Sequence, residues 1–122
     1  KIMELIIKII IILLAVFHSY VLYMEMFAWE TLGRKTFRAM PRDLFPNTKS
    51  MAANQGLYNG FLVAGLIWSL LISDPIWAKN VMLFFLSCIA IAGIYGGYSV
   101  QKTIFFFQGL PALIGIALIL LS

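Results

Sequence analysis

Two ionisable side chains within the first apolar stretch, His18 and Glu25, have the spacing that most clearly suggests chemistry. His18 and Glu25 are seven residues apart, so around a helix they lie within about 20° of each other. Trp29 extends the same stripe. Along the helix axis the pair is separated by about 10 Å, so a water, a ligand or another helix would have to bridge it. Ionisable groups inside apolar helices are candidates for ligand binding or proton transfer.

A second polar group opens the next apolar stretch. Asn54 with Tyr58, and Gln55 with Asn59, are pairs four residues apart and form a broad polar face. The opposite side carries small residues at every fourth position, namely Ala52, Gly56, Gly60 and Ala64. Small residues let two helix backbones approach closely. This segment is therefore predicted to pack on one face and to present amide and phenol groups on the other.

The last two apolar stretches carry fewer polar residues. Tyr95 marks a polar face of the third, and Gln108 marks one in the fourth. Gly93 and Gly97 form a GxxxG pattern on another side of the third and are predicted to serve helix packing. Because amides and acids are costly to place in hydrocarbon, we expect all four polar stripes to face a shared polar pocket.

The elements that must position these residues are four apolar runs, residues 5–28, 51–72, 81–100 and 103–121. Each is about the length that a helix needs to cross roughly 30 Å of hydrocarbon. The composition agrees, with 62% hydrophobic and only 11% charged residues. Short connections make successive helices antiparallel. The sequence therefore predicts an all-α fold: one integral membrane domain over residues 1–122, a four-helix transmembrane bundle of up-down-up-down topology with one basic loop between helices 1 and 2.

The basic residues are distributed unevenly along this predicted topology. Six of them lie in or beside the first and third loops: Arg34, Lys35, Arg38, Arg42, Lys49 and Lys102. Three lie on the opposite side: Lys1, Lys8 and Lys79. The excess predicts a multi-pass protein of the cell (plasma) membrane, with the helix 1–2 loop in the cytoplasm and both termini outside. So few basic residues, placed beside membrane spans, argue against nucleic-acid binding.

The polar residues also carry a family resemblance. The run from Ala52 to Phe61, preceded by His18 and by Glu25-Met-x-x-Trp29, resembles a family of small integral membrane proteins known as domain of unknown function 1304. The resemblance implies a compact four-helix membrane protein and no established reaction or substrate. It implies that the family's characteristic positions here are His18, Glu25, Trp29, Asn54, Gln55, Gly56, Tyr58, Asn59 and Gly60. The architecture is also similar, at the level of fold, to the DoxX-like membrane proteins.

Three functions are consistent with these observations. The favoured one is a protein that binds or transports a small amphipathic or lipid-like ligand in the polar pocket, with the lipid bilayer as its surroundings. The second is a structural protein that stabilises a larger membrane complex or the envelope. The third is a membrane-embedded enzyme with Glu25 and His18 as acid and base, which we favour least because no activated nucleophile accompanies them.

The sequence also bears on cofactors and assembly. One histidine and one glutamate are too few ligands for a zinc site, so no metal and no cofactor is predicted. A four-helix transporter would be slim, so a homodimer is predicted, formed through Gly93 and Gly97 or through the small residues from Ala52 to Ala64.

Overall fold

The computed structural model describes residues 1–122 as an all-α protein without strands. Its helices are α1 (Ile2–Phe27), α2 (Arg34–Thr36), α3 (Leu44–Asn47), α4 (Lys49–Leu71), α5 (Pro75–Ser99) and α6 (Lys102–Leu121). A π-helical turn, Trp29–Gly33, precedes α2, and a second, Phe105–Gly109, lies within α6. The predicted all-α class is confirmed.

The four long helices coincide with the four predicted apolar runs, and the largest difference is the start of α5. This helix begins at Pro75 rather than near residue 81. The Asp74 side chain accepts hydrogen bonds from the backbone N–H of Ile76 (2.9 Å) and of Trp77 (3.4 Å), which caps the first turn. Proline suits the first position of a helix because its N–H would have no partner there.

Three helices are long and apolar enough to cross a membrane, where the sequence predicts four. They are α1, α5 and α6. Helix α4 is 23 residues long but is not among them, because Asn54, Gln55 and Asn59 make its first half too polar. The polar residues that make α4 a functional candidate thus also lower its mean hydropathy below that of the other three helices.

The apolar side chains of these three helices are mostly uncovered. In the most apolar part of α1 and of α5 only 28% of residues are buried, and in α6 only 22%. Soluble proteins rarely expose continuous apolar surface of this extent. The exposed apolar faces are those expected of helices that contact lipid.

The chain divides into two compact units. Unit 1 comprises Lys1–Ala15 and Ala64–Ser122. In it α5 and α6 pack closely: a Cβ built on Gly93 would overlap the backbone of Gly109. Leu86, which is fully buried, and Ile10 lie against Gly115, so the first half of α1 joins the α5–α6 pair.

Helix α6 departs from regular α-helical geometry within unit 1. Pro111 has no N–H to offer to the carbonyl four residues before it, and the π turn Phe105–Gly109 lies at that point. Insertions of this kind are a common cause of helix distortion. Glycine at position 109 lets the distorted turn approach α5.

Unit 2 comprises Val16–Val63 and contains the second half of α1, the α1–α4 connection and the first half of α4. Where the sequence predicts one basic loop between helices 1 and 2, the connection contains a π turn and two short helices. Phe45 is fully buried within this unit.

Candidate functional site

The site that the structure assembles lies in unit 2 and centres on Glu25. The Asn59 side-chain amide donates a hydrogen bond from Nδ2 to Glu25 Oε1 at 2.8 Å. The same amide donates to the backbone carbonyl of Gln55 at 3.1 Å, which fixes its orientation one turn along α4. Two predicted residues, one from α1 and one from α4, are therefore in direct contact.

Close packing of α1 on α4 brings these two side chains together. A Cβ built on Gly56 would lie 2.5 Å from Met26 Cγ and 3.1 Å from both Glu25 Cβ and the Leu22 carbonyl oxygen. One turn further, a Cβ on Gly60 would lie 2.9 Å from Leu22 Cδ1. Only glycine leaves room for this approach at position 56, so the small-residue face of α4 is the face that contacts α1. Ala52 is also buried, whereas Ala64 is exposed.

The Glu25 carboxylate retains capacity to bind a further group. Asn59 is the only side chain that hydrogen-bonds to it, and the residue is half-buried. An ionised carboxylate accepts several hydrogen bonds through its two oxygens. Oε2 is therefore available to a donor that does not belong to this chain.

Trp29 serves the connection between the two helices. Its indole Nε1 donates to Thr48 Oγ1 at 3.0 Å, and its ring contacts Phe37 and Phe45 at centroid distances of 5.6 Å and 5.2 Å. Trp29 therefore links the end of α1 to the start of α4. Beside it, the Lys49 ammonium lies 3.5 Å from the Glu30 carboxylate.

Two arginines, Arg34 and Arg42, complete the connection, and neither was predicted from the sequence as a site residue. The Arg42 guanidinium donates to the carbonyl oxygens of Arg34, Phe37, Arg38 and Met40 at 2.9–3.1 Å. The Arg34 and Arg42 guanidinium groups lie 5.1 Å and 5.0 Å from the centroid of the Phe45 ring, within range of a cation–π interaction. The only sequence signal for this arrangement was an aromatic residue between basic residues.

The other predicted site residues of unit 2 differ in how far they are buried. His18 is fully buried, with its ring edge-on to Phe17 at 5.3 Å. Asn54 and Gln55 have exposed side chains on α4. Tyr58 is 56% exposed and lies beside Phe61. Around α4, Gln55 lies within about 40° of Asn59, whereas Asn54 and Tyr58 lie on other sides of the helix.

The two remaining predicted residues belong to unit 1. Tyr95 lies on α5 and is 70% exposed. Gln108 lies in the π turn of α6 and is half-buried. In the same unit Gly93 faces Gly109, and Gly97 faces Phe105, so this glycine face packs within the chain.

A family model described as "Protein of unknown function (DUF1304)" matches residues 12–120. No curated protein and no solved structure matches the chain. The match includes Glu25, Asn59 and all of α4 but begins within α1, and its description states no activity, substrate or cofactor.

Proposed function

This chain belongs to the DUF1304 family, and we propose that it is a four-pass membrane protein that binds or transports a small amphipathic or lipid-like ligand recognised by Glu25 and Asn59. The observation that carries the proposal is the Glu25 carboxylate, which Asn59 orients through one oxygen and which leaves the other accessible. A carboxylate within an apolar helix is costly, and a ligand offsets that cost.

The membrane placement is supported by three helices of sufficient length and apolarity. We propose α4 as the fourth span. Its second half, residues 61–71, is apolar, and Trp68 and Leu71 are exposed there. Its polar first half would then lie near the membrane surface or against a ligand. Five basic residues in or beside the α1–α4 connection favour the cytoplasm for that side, and both termini would face outside the cell membrane.

The chemistry of the site defines the ligand class. Glu25 Oε2 accepts a hydrogen bond or attracts a cation, so the ligand carries a hydroxyl or an ammonium group. On α4 the Gln55 amide, about 40° from Asn59 around the helix, offers a further donor and acceptor on the same side. The apolar side chains at the contact of α1 with α4, Leu22 and Met26, suit an apolar body. An amphipathic molecule combines these features, and Glu25 could carry a proton in exchange for it.

Replacement of the carboxylate tests this function. The full chain would be purified from its membrane as wild type, Glu25→Gln and Asn59→Leu, and co-purified small molecules would be identified by native mass spectrometry. We expect an amphipathic molecule bound to the wild type and a loss of at least ten-fold in occupancy for both variants, because each disrupts the oriented carboxylate. The matched control is Glu30→Gln, which removes a carboxylate of the same unit that contacts Lys49. Equal occupancy in all four proteins would refute the proposal.

A structural role in a larger membrane complex is the second candidate. The exposed face of Asn54, Gln55 and Tyr58 on α4 favours it, because such a face also suits hydrogen bonds to a partner chain. In that case Asn54→Leu would lower the yield of the complex in a pull-down, and Glu25→Gln would leave ligand occupancy unchanged.

A further inference from the structure

A cavity separate from the Glu25 site lies within unit 1. Its volume is about 230 Å³, and it is formed where the N-terminal end of α1 meets the end of α4 and the start of α5. Its polar lining consists of Glu4, Lys8, Ser69, Ser73 and Lys79. At about 30 Å³ per water in the liquid, the space corresponds to roughly eight waters, which is enough for a lipid headgroup and too little for a whole lipid.

The lining carries an excess of positive charge. Lys8 and Lys79 line the cavity with a single carboxylate, that of Glu4. The only ion pair in the chain is Lys49–Glu30, so Glu4 forms no close ion pair with either lysine of the cavity. Two unpaired ammonium groups at one cavity are a binding arrangement for an anion, and lysine is a common ligand of phosphate.

The remainder of the lining is apolar. Ile7 and Met82 are buried there. Ser69 is also buried, and its hydroxyl donates to the Leu66 carbonyl oxygen at 2.6 Å, so its donor is already used. The cavity therefore offers cationic groups together with an apolar wall, which suits an anion attached to a hydrocarbon chain better than a free inorganic ion.

The position of the cavity along the helices agrees with a headgroup. Its lining residues lie at or near the ends of α1, α4 and α5. Trp68 and Trp77, which neighbour the lining residues in sequence, are 56% and 61% exposed. Tryptophan is enriched at the level of the lipid headgroups.

We propose that this cavity binds the headgroup of an anionic phospholipid. Lys8 and Lys79 contact the phosphodiester, Ile7 and Met82 contact the adjoining methylene groups, and Glu4 accepts a hydrogen bond from a headgroup hydroxyl. The inference rests on the membrane placement proposed above but not on the Glu25 site.

Lipid titration of the full chain tests the assignment. The protein in neutral detergent would be titrated with phosphatidylglycerol or phosphatidylcholine, and the dissociation constant of the first bound lipid would be measured by native mass spectrometry. We expect phosphatidylglycerol to bind at least ten-fold more tightly than phosphatidylcholine. Lys8→Gln/Lys79→Gln should abolish that preference, and Lys8→Arg/Lys79→Arg should retain it.

A charge-matched variant separates this site from diffuse attraction. Lys35→Gln/Lys102→Gln removes the same charge from exposed lysines outside the cavity and should retain the preference. An equal loss in both double variants, or no loss in either, would overturn the proposal. Ala78→Leu, which fills the cavity without changing the charge, should also lower the affinity, and circular dichroism would verify that each variant is helical.

Two further experiments distinguish a lipid from a soluble phosphodiester, and a wrong headgroup site from a wrong membrane placement. Soluble glycerophosphoglycerol should not displace the lipid at equal concentration; if it does, the ligand is a soluble phosphodiester and the lipid assignment is wrong. Carbonate extraction of cell membranes tests membrane placement separately. A chain that resists extraction but shows no preference for phosphatidylglycerol would refute the headgroup site alone.

Discussion

At the scale of residues, the hydrogen bond between Asn59 and Glu25 is the contact on which the candidate site depends. In water such a bond would compete with solvent, but next to apolar side chains an unpaired amide or carboxylate is expensive. Measured side-chain hydrogen bonds in membrane helices contribute about 0.6 kcal/mol on average and about 1.7 kcal/mol at most. The bond is therefore worth little as a source of stability and more as a means of orienting the carboxylate.

The Asn59–Glu25 contact predicts a measurable coupling. In a double-mutant cycle of Glu25→Ala and Asn59→Ala, we expect an interaction free energy of about 0.6–1.7 kcal/mol, measured by reversible unfolding in detergent. Asn54 is the matched control, because it is an exposed amide of the same helix for which no contact with Glu25 is found. A cycle of Glu25→Ala with Asn54→Ala should give a value near zero. Equal values for the two cycles would show that the contact is not specific.

At the scale of elements, two close approaches between helices depend on glycine. In unit 2, Gly56 lets α4 approach α1, and in unit 1, Gly93 lets α5 approach the π turn of α6. A third glycine, Gly60, has a different kind of neighbour. Gly93 faces backbone atoms of Gly109, whereas Gly60 faces the end of the Leu22 side chain. Backbone cannot rotate away from an added methyl group, and a leucine end can.

The effect of a glycine-to-alanine substitution on the free energy of unfolding should therefore depend on whether the added methyl group meets backbone or a side chain. We expect Gly93→Ala to lower the free energy of unfolding by about 1–3 kcal/mol, the usual range for overpacking. Gly60→Ala should be nearly neutral or stabilising, because alanine is favoured over glycine in a helix by up to about 1 kcal/mol. Thermal unfolding followed by circular dichroism measures both. A Gly93→Ala protein as stable as Gly60→Ala would contradict the observed packing.

The connection between α1 and α4 requires arginine at position 42. The Arg42 guanidinium reaches four backbone carbonyls, which needs several donors in a planar fork. Lysine has one ammonium group and cannot reproduce this geometry. We expect Arg42→Lys to increase amide hydrogen exchange across residues 34–45, whereas Arg38→Lys, whose side chain reaches one carbonyl, should have a smaller effect. Unchanged exchange in Arg42→Lys would show that the connection is held by other contacts.

At the scale of the whole molecule, the number and direction of the membrane crossings decide where each site is exposed. Three helices qualify by composition, and the proposal adds α4 as a fourth. If α4 crosses the membrane, Arg38 and Ser73 lie on opposite sides of it, and the excess of lysine and arginine around Arg38 favours the cytoplasm for that side.

Cysteine labelling tests this topology directly. The chain has a single native cysteine, Cys88, so Cys88→Ser provides a background without thiols. In it we expect Ser73→Cys to react with an impermeant maleimide added to intact cells, and Arg38→Cys to react only after permeabilisation. Reaction of both positions from outside would mean that α4 does not cross, and the reverse pattern would mean an inverted orientation.

The sequence by itself determined the all-α class and the positions of the four long helices, because apolar runs of this length favour helices in a medium where backbone groups must pair internally. It also singled out Glu25 and Asn59, since polar residues in apolar runs are conspicuous. Only the tertiary structure decided that Asn59 is the residue bonded to Glu25, whereas Asn54 and Gln55 stay exposed. The sequence shows which residues share one face of a helix. Which residue of another helix such a face contacts depends on how closely the two backbones approach. Gly56 controls that distance for α1 and α4, and the contacts of Arg42 and the cavity at Lys8 and Lys79 depend in the same way on segments distant in sequence.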